Sequence, residues 1–212
     1  MGVIHLNEEK IVNWQIWNAK TIGTTSKDWQ QGFLKPLINF FPNLKSKTIL
    51  DLGCGNGEVL TAIARQNPKL IIGIDTDTQA LKNCKKKTRC LINVKVEFGN
   101  AQSLKYKNNS FDIIYSIGLI EHFCYPTIIM KEAKRMLKPN GTLIIAVPNG
   151  KCLWRELKLI IKPSEIWELK YSIKTLSNLL KNNGFKNREV KCLNYSPLKV
   201  KLNWWLLGKG TK

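Results

Sequence analysis

Three alternating glycines behind an acid, Asp51-Leu52-Gly53-Cys54-Gly55-Asn56-Gly57, have the residue types and spacing to cradle a nucleoside-type cofactor. Glycine lacks Cβ, so a ligand's polar atoms can lie directly on backbone N–H groups, and a helix that starts behind the loop favours electron-rich groups. About 20 residues beyond Gly55 an apolar run ends on Asp75, placed to accept hydrogen bonds from both hydroxyls of a ribose, with helix capping as its alternative role. Further on, Gly118-Leu119-Ile120-Glu121-His122-Phe123 offers a carboxylate beside an imidazole that titrates near neutral pH. Glu121 and His122 are therefore the candidates for a base if an acceptor must lose a proton, and a structural hydrogen-bonding pair is the competing reading.

The elements that position these groups alternate from Lys47 onward between short apolar runs and helical stretches, the signature of βαβ units and a parallel sheet. Strands are expected at 47–52, 70–75, 94–98, 111–116 and 142–147, with helices near 57–66, after an Asp77 cap, and after Pro126 as far as Lys138-Pro139-Asn140-Gly141. Ser172 should cap a later helix that ends at Asn183-Gly184, and two strands near 185–194 and 203–208 should be antiparallel neighbours. Ahead of the sheet, residues 7–20 predict one helix. Ser26 caps a second that Pro36 would kink. Residues 151–162 set Leu153, Trp154, Leu157, Ile160 and Ile161 apart from a stripe of Lys151, Arg155, Lys158 and Lys162, which reads as a basic amphipathic helix.

The 212 residues, 43% of them hydrophobic, suit one domain with a complete core. A net charge of +19 favours polyanions such as nucleic acid or anionic lipid, although lysine spread along the whole chain has the same effect without any partner. Lys82, Lys85, Lys86, Lys87 and Arg89 form one such run, open to reading as a solvated helix face or as a binding patch. The six cysteines show no C-x-x-C pair and no His at finger spacing, and with no N-terminal signal peptide read in the sequence, reduced thiols in a cytoplasmic protein are expected. No apolar run approaches the roughly 18 residues that span a bilayer.

Five motifs in register resemble class I S-adenosylmethionine-dependent methyltransferases. They are the loop at 51–57, Ile71-Ile72-Gly73-Ile74-Asp75, Gly99-Asn100-Ala101, Ser110-Phe111-Asp112-Ile113-Ile114-Tyr115-Ser116, and Leu137-Lys138-Pro139-Asn140-Gly141-Thr142-Leu143. The resemblance implies an α/β fold, doubly wound, with a mostly parallel seven-stranded sheet and an antiparallel final strand. It implies S-adenosyl-L-methionine as cofactor, held by Asp51, Gly53, Gly55, Asp75, Thr76, Asn100, Ala101 and Ser116. Asp51 would orient the loop or reach the methionine ammonium through water. Asn100 and Ala101 resemble the adenine positions, with Asn100 where the family commonly has Asp, and Ser116 would contribute backbone beside the methionine group. On this reading residues 1–46 cover the cofactor site, 47–149 form the binding core, 150–171 a lid or substrate insertion, and 172–212 complete the domain. A dinucleotide-binding dehydrogenase is disfavoured, because Glu58 stands where G-x-G-x-x-G needs its last glycine.

The Glu121-His122 segment resembles the Glu-x-x-Glu-His element of ubiquinone-pathway O-methyltransferases and small-RNA 2′-O-methyltransferases, where two acids and the His can hold a metal. Gly118 replaces the first acid here, so no metal is expected. A small-molecule, quinone-like acceptor is the leading expectation, with the 151–162 helix covering an apolar tail and meeting an anionic membrane surface peripherally. RNA is the alternative acceptor. A scaffold or activator subunit that binds cofactor without catalysis is the reading from another class, and the intact loop with Asp75 argues against it.

Overall fold

The computed structural model describes residues 30–151, 168–193 and 204–212. The expected helix at 7–20, the Ser26 cap and the amphipathic helix after Lys151 lie outside them. Chain order among the described residues is a wide turn at Gln30–Leu34, α1 (Lys35–Phe40), β1 (Thr48–Leu52), α2 (Glu58–Ala64), β2 (Leu70–Asp75), α3 (Thr78–Thr88) and β3 (Val94–Phe98). Then follow β4 (Phe111–Ile117), a 3₁₀ turn at Ile120–His122, α4 (Pro126–Met136), β5 (Leu137–Pro148), α5 (Ile173–Asn182), β6 (Lys186–Leu193) and β7 (Trp205–Thr211).

The strands form one sheet in the order β3-β2-β1-β4-β5-β7-β6. β1 to β5 pair in parallel, whereas β7 runs antiparallel to both β5 and β6. The last strand is thus inserted between β5 and β6. Because the central strands are covered on both faces, they are apolar almost throughout instead of alternating with polar residues. On one face Leu50, Leu52, Ile114, Ile145 and Val147 pack under α4 and α5, through Ile129, Met136, Leu176 and Leu180. On the other, Ile49, Ile71, Ile113, Tyr115 and Ile144 pack under α1, α2 and α3, through Leu37, Phe40, Leu60, Ile63 and Cys84.

Local signals place the helix ends. Asp77 Oδ1 accepts from the N–H of Gln79 (2.8 Å) and Ala80 (3.1 Å), so the α3 cap is Asp77 and Asp75 is left for another role. Ser172 and Thr175 form a reciprocal capping box on α5. Pro36 lies in the first turn of α1, where its missing N–H costs nothing, and the distortion falls in the preceding wide turn. The stop expected at Lys138-Pro139-Asn140-Gly141 lies within β5. Buried Leu137 already pairs with Phe111, and pairing resumes at Thr142 with Ile113, leaving 138–141 as an irregularity with Asn140 at φ 62°.

Candidate functional site

The glycine loop hangs from β2. The N–H groups of Gly53 and Cys54 both donate to Ile74 O at 2.9 Å. Gly53 (φ 78°) and Gly55 (φ 51°) take the left-handed conformations that the turn from β1 into α2 requires, which other L-residues rarely adopt. Gly55 N–H donates to Asp75 Oδ2 (2.8 Å), and Asp77 N–H donates to Asp75 Oδ1 (2.9 Å). Two backbone donors therefore fix the Asp75 carboxylate at the carboxyl end of β2. With about four acceptor positions on an ionised carboxylate, each oxygen keeps capacity for one further donor.

Beside it opens a cleft of about 650 Å³, part of it open to solvent, lined by Gly53, Gly55, Asp75, Thr76, Gly99, Asn100, Ala101, Ile117, Gly118, Leu119 and Phe123. It lies past the carboxyl ends of the strands where β1 neighbours β4 and the strand order reverses, the crevice in which open α/β sheets bind ligands. One end is polar, with Asp75, Thr76 and Asn100. The other presents Ile117, Leu119 and Phe123. A cleft with one polar and one apolar end suits an adenosine that carries a methionine sulfonium, so the residues fit S-adenosylmethionine. The loop that carries Asn100 is braced from α4: Leu104 N–H donates to Glu132 Oε1 (2.9 Å), and Arg135 donates to Tyr106 O (2.7 Å) and Leu104 O (3.1 Å).

Of the residues singled out from sequence, Gly53, Gly55, Asp75, Thr76, Asn100 and Ala101 come together in the cleft, and Asp51, Ser116, Glu121 and His122 stand outside its lining. Ser116 is buried beneath the sheet's α4 face. Glu121 and His122 occupy the 3₁₀ turn between the cleft residues Leu119 and Phe123, with side chains only 1% and 2% exposed and 3.9 Å between Glu121 Oε1 and His122 Nε2. Gly99, Ile117, Leu119 and Phe123 were given no cofactor role from sequence. Their signal is position, at or within a few residues of the carboxyl ends of β3 and β4. Among the described residues no cluster of three or more His, Cys, Asp or Glu could hold a metal ion.

Asp51 is 3% exposed and accepts a 2.7 Å hydrogen bond from the Tyr115 hydroxyl. Burial pushes its carboxyl up to about 8, a rise that the Tyr115 bond opposes and the Asp75 charge reinforces. The folded chain then keeps this proton up to about pH 8, while the unfolded chain loses it near pH 4. Between those values the native state binds more protons, so stability falls as pH rises through the window. Asp51→Asn keeps an oxygen for Tyr115 and removes the titration. Urea unfolding at about pH 5 and about pH 8 should show a smaller loss of stability on raising pH in the variant than in the parent. Parallel pH profiles would refute this account.

The sheet order, the glycine loop and the Asp75 cleft define a Rossmann-like, class I S-adenosylmethionine-dependent methyltransferase. The chain belongs to the family described as "Methyltransferase domain", whose match spans residues 43–200. It is 26% identical over 196 residues to a tRNA U34 carboxymethyltransferase of Aliarcobacter butzleri, covering 89% of this chain and 64% of that protein. A protein of the same name from Desulfotalea psychrophila is 30% identical over 123 residues, covering 57% of this chain and 37% of the relative. The chain thus spans less than two thirds of the length of these relatives. Among solved structures, the putative methyltransferase bound to the Haloferax volcanii Trm112 methyltransferase activator superposes with a TM-score of 0.76 at 18% identity, covering 94% of this chain and 97% of that one. At that identity the likeness defines the fold alone. Among the described residues no helix is long and apolar enough to cross a membrane.

Proposed function

We propose that this enzyme transfers a methyl group from S-adenosylmethionine to a nucleotide of a structured RNA such as a tRNA. The observation that carries this reading is the basic far end of α3, where Lys82, Lys85 and Lys86, the C-cap Arg89, and Lys87, which pairs with Glu58, are exposed, Lys85 to Lys87 in the last turn. Cations there would neutralise phosphates of an extended polyanion that runs along the domain from the reacting nucleotide at the cleft. The net charge of +19 and the tRNA relatives support the same reading. The group taken to be transferred is methyl, in keeping with the apolar wall that Ile117, Leu119 and Phe123 give the cleft. When bound, the sulfonium supplies an electrophilic methyl for in-line displacement. The chain's part is to fix the donor's ribose on Asp75 and to keep water from the apolar end.

The test is incorporation of label from methyl-labelled S-adenosylmethionine into RNA and small-molecule fractions of a cell extract. Label should enter RNA, and the rate should fall steeply with added salt. Label confined to small molecules would replace this reading with the second one, an uncharged small acceptor deprotonated by the buried Glu121–His122 pair, which that pair's 3.9 Å approach beside the cleft favours.

A further inference from the structure

One buried group beside the cleft has no task in the fold. Tyr171 is 5% exposed, and its hydroxyl is buried with no hydrogen-bond partner among the described residues. Its backbone is held firmly: Gly150 N–H donates to Tyr171 O (2.8 Å), Tyr171 bridges Asn149 in the parallel sense, and Leu169 N–H donates to Glu121 O (2.7 Å). The segment 168–171 is thereby laid across the carboxyl end of β5, against the 3₁₀ turn whose flanks Leu119 and Phe123 line the cleft. The ring packs with the apolar cluster of Ile120, Val147 and Leu176. A phenylalanine ring would fill that space equally well. An unsatisfied buried hydroxyl costs stability, and such an exception calls for a reason.

Resting on the proposal that the reacting nucleotide lies at the cleft, we infer that the Tyr171 hydroxyl donates a hydrogen bond to a neutral carbonyl or hydroxyl oxygen of the methyl acceptor. Arrival of the acceptor parts segment 168–171 from the turn at the Leu169–Glu121 hydrogen bond. Burial first, and then the Glu121 charge, push the phenol well above its ordinary range, so the group remains an O–H donor at every working pH. An apolar cluster surrounds the ring, and burying an anion there would be costly, which favours a neutral acceptor oxygen as the partner. In RNA the fitting oxygens are base carbonyls, which differ between nucleotides, and ribose hydroxyls, which distinguish RNA from DNA.

The test is full-length Tyr171→Phe, which removes the oxygen and keeps the ring. The thermal midpoint without ligand should equal or exceed that of the parent, because no internal hydrogen bond is lost. Affinity for S-adenosylmethionine by calorimetry should stay within about twofold, while KM for bulk tRNA should rise about tenfold, the worth of one directed hydrogen bond. A midpoint lowered by several degrees, or an unchanged KM, overturns the inference. If the parent labels small molecules and leaves RNA unlabelled, the RNA reading falls separately. The ratio of variant to parent in that fraction then judges Tyr171 by the same outcomes.

Discussion

Asp75→Ala should weaken S-adenosylmethionine binding by about a hundredfold, read as the calorimetric dissociation constant, with transfer at low cofactor falling in proportion. Two losses combine. The carboxylate offers one free acceptor position per oxygen to the ribose hydroxyls, and a hydrogen bond to a charged acceptor is worth about 1.5 to 3 kcal/mol. The same oxygens hold Gly55 N–H at 2.8 Å and Asp77 N–H at 2.9 Å, so alanine also frees the loop that must present its backbone to the methionine part. Asp75→Asn separates these losses. Its amide keeps one acceptor oxygen but turns an NH2 group toward one of the two backbone donors, so the loop loses one of its two ties. An intermediate loss, about tenfold, is expected for it. Unaltered affinity in the alanine variant would remove Asp75 from the cofactor site.

The parts legible in the sequence are those written in short-range chemistry. The strand, loop and helix around residues 48–64, the acid-ended β2, the Asp77 cap and the Ser172 cap all depend on residues within a few positions of one another. The insertion of β7 between β5 and β6 depends on pairing across distant segments, Leu143 with Gly210 and Cys192 with Leu206, and no local pattern encodes it. Asp51 illustrates a different limit. It belongs to the loop motif, yet strand alternation aligns it with Ile49 on the face under α2, opposite Tyr115, and away from the cleft lining. Parity along β1 contained that information, and the motif obscured it. The bracing of the Asn100 loop by Glu132 and Arg135 was hidden for the opposite reason: the partners lie about 30 residues apart, and an i,i+3 ion pair on a helix ordinarily reads as surface decoration.

Gly73→Ala should both destabilise the fold and weaken cofactor binding, although residue 73 touches no ligand. Gly73 lies in β2 opposite Asp51 of β1 and Val96 of β3. A Cβ there would run into Leu60 Cδ1 and would meet Cys54 Cβ at 2.9 Å and Cys54 Sγ at 3.0 Å. Leu60 is fully buried, so its methyl has little room to retreat, and overpacking of this kind costs about 1 to 3 kcal/mol. For a chain of this size that corresponds to a thermal midpoint lower by roughly 2 to 12 °C. β2 cannot simply slide aside, because Ile74 O receives both Gly53 N–H and Cys54 N–H. Displacing Cys54 therefore moves the peptide between the two cleft glycines, and affinity for S-adenosylmethionine should fall about tenfold with it. Adding Leu60→Val distinguishes the two effects. The shorter side chain removes the nearest clash and should restore much of the midpoint, whereas the Cys54 contact persists and the affinity should stay low. If affinity recovered together with stability, the loop would be responding to general loosening of the core, and the direct path from Gly73 through Cys54 to the cofactor would be wrong.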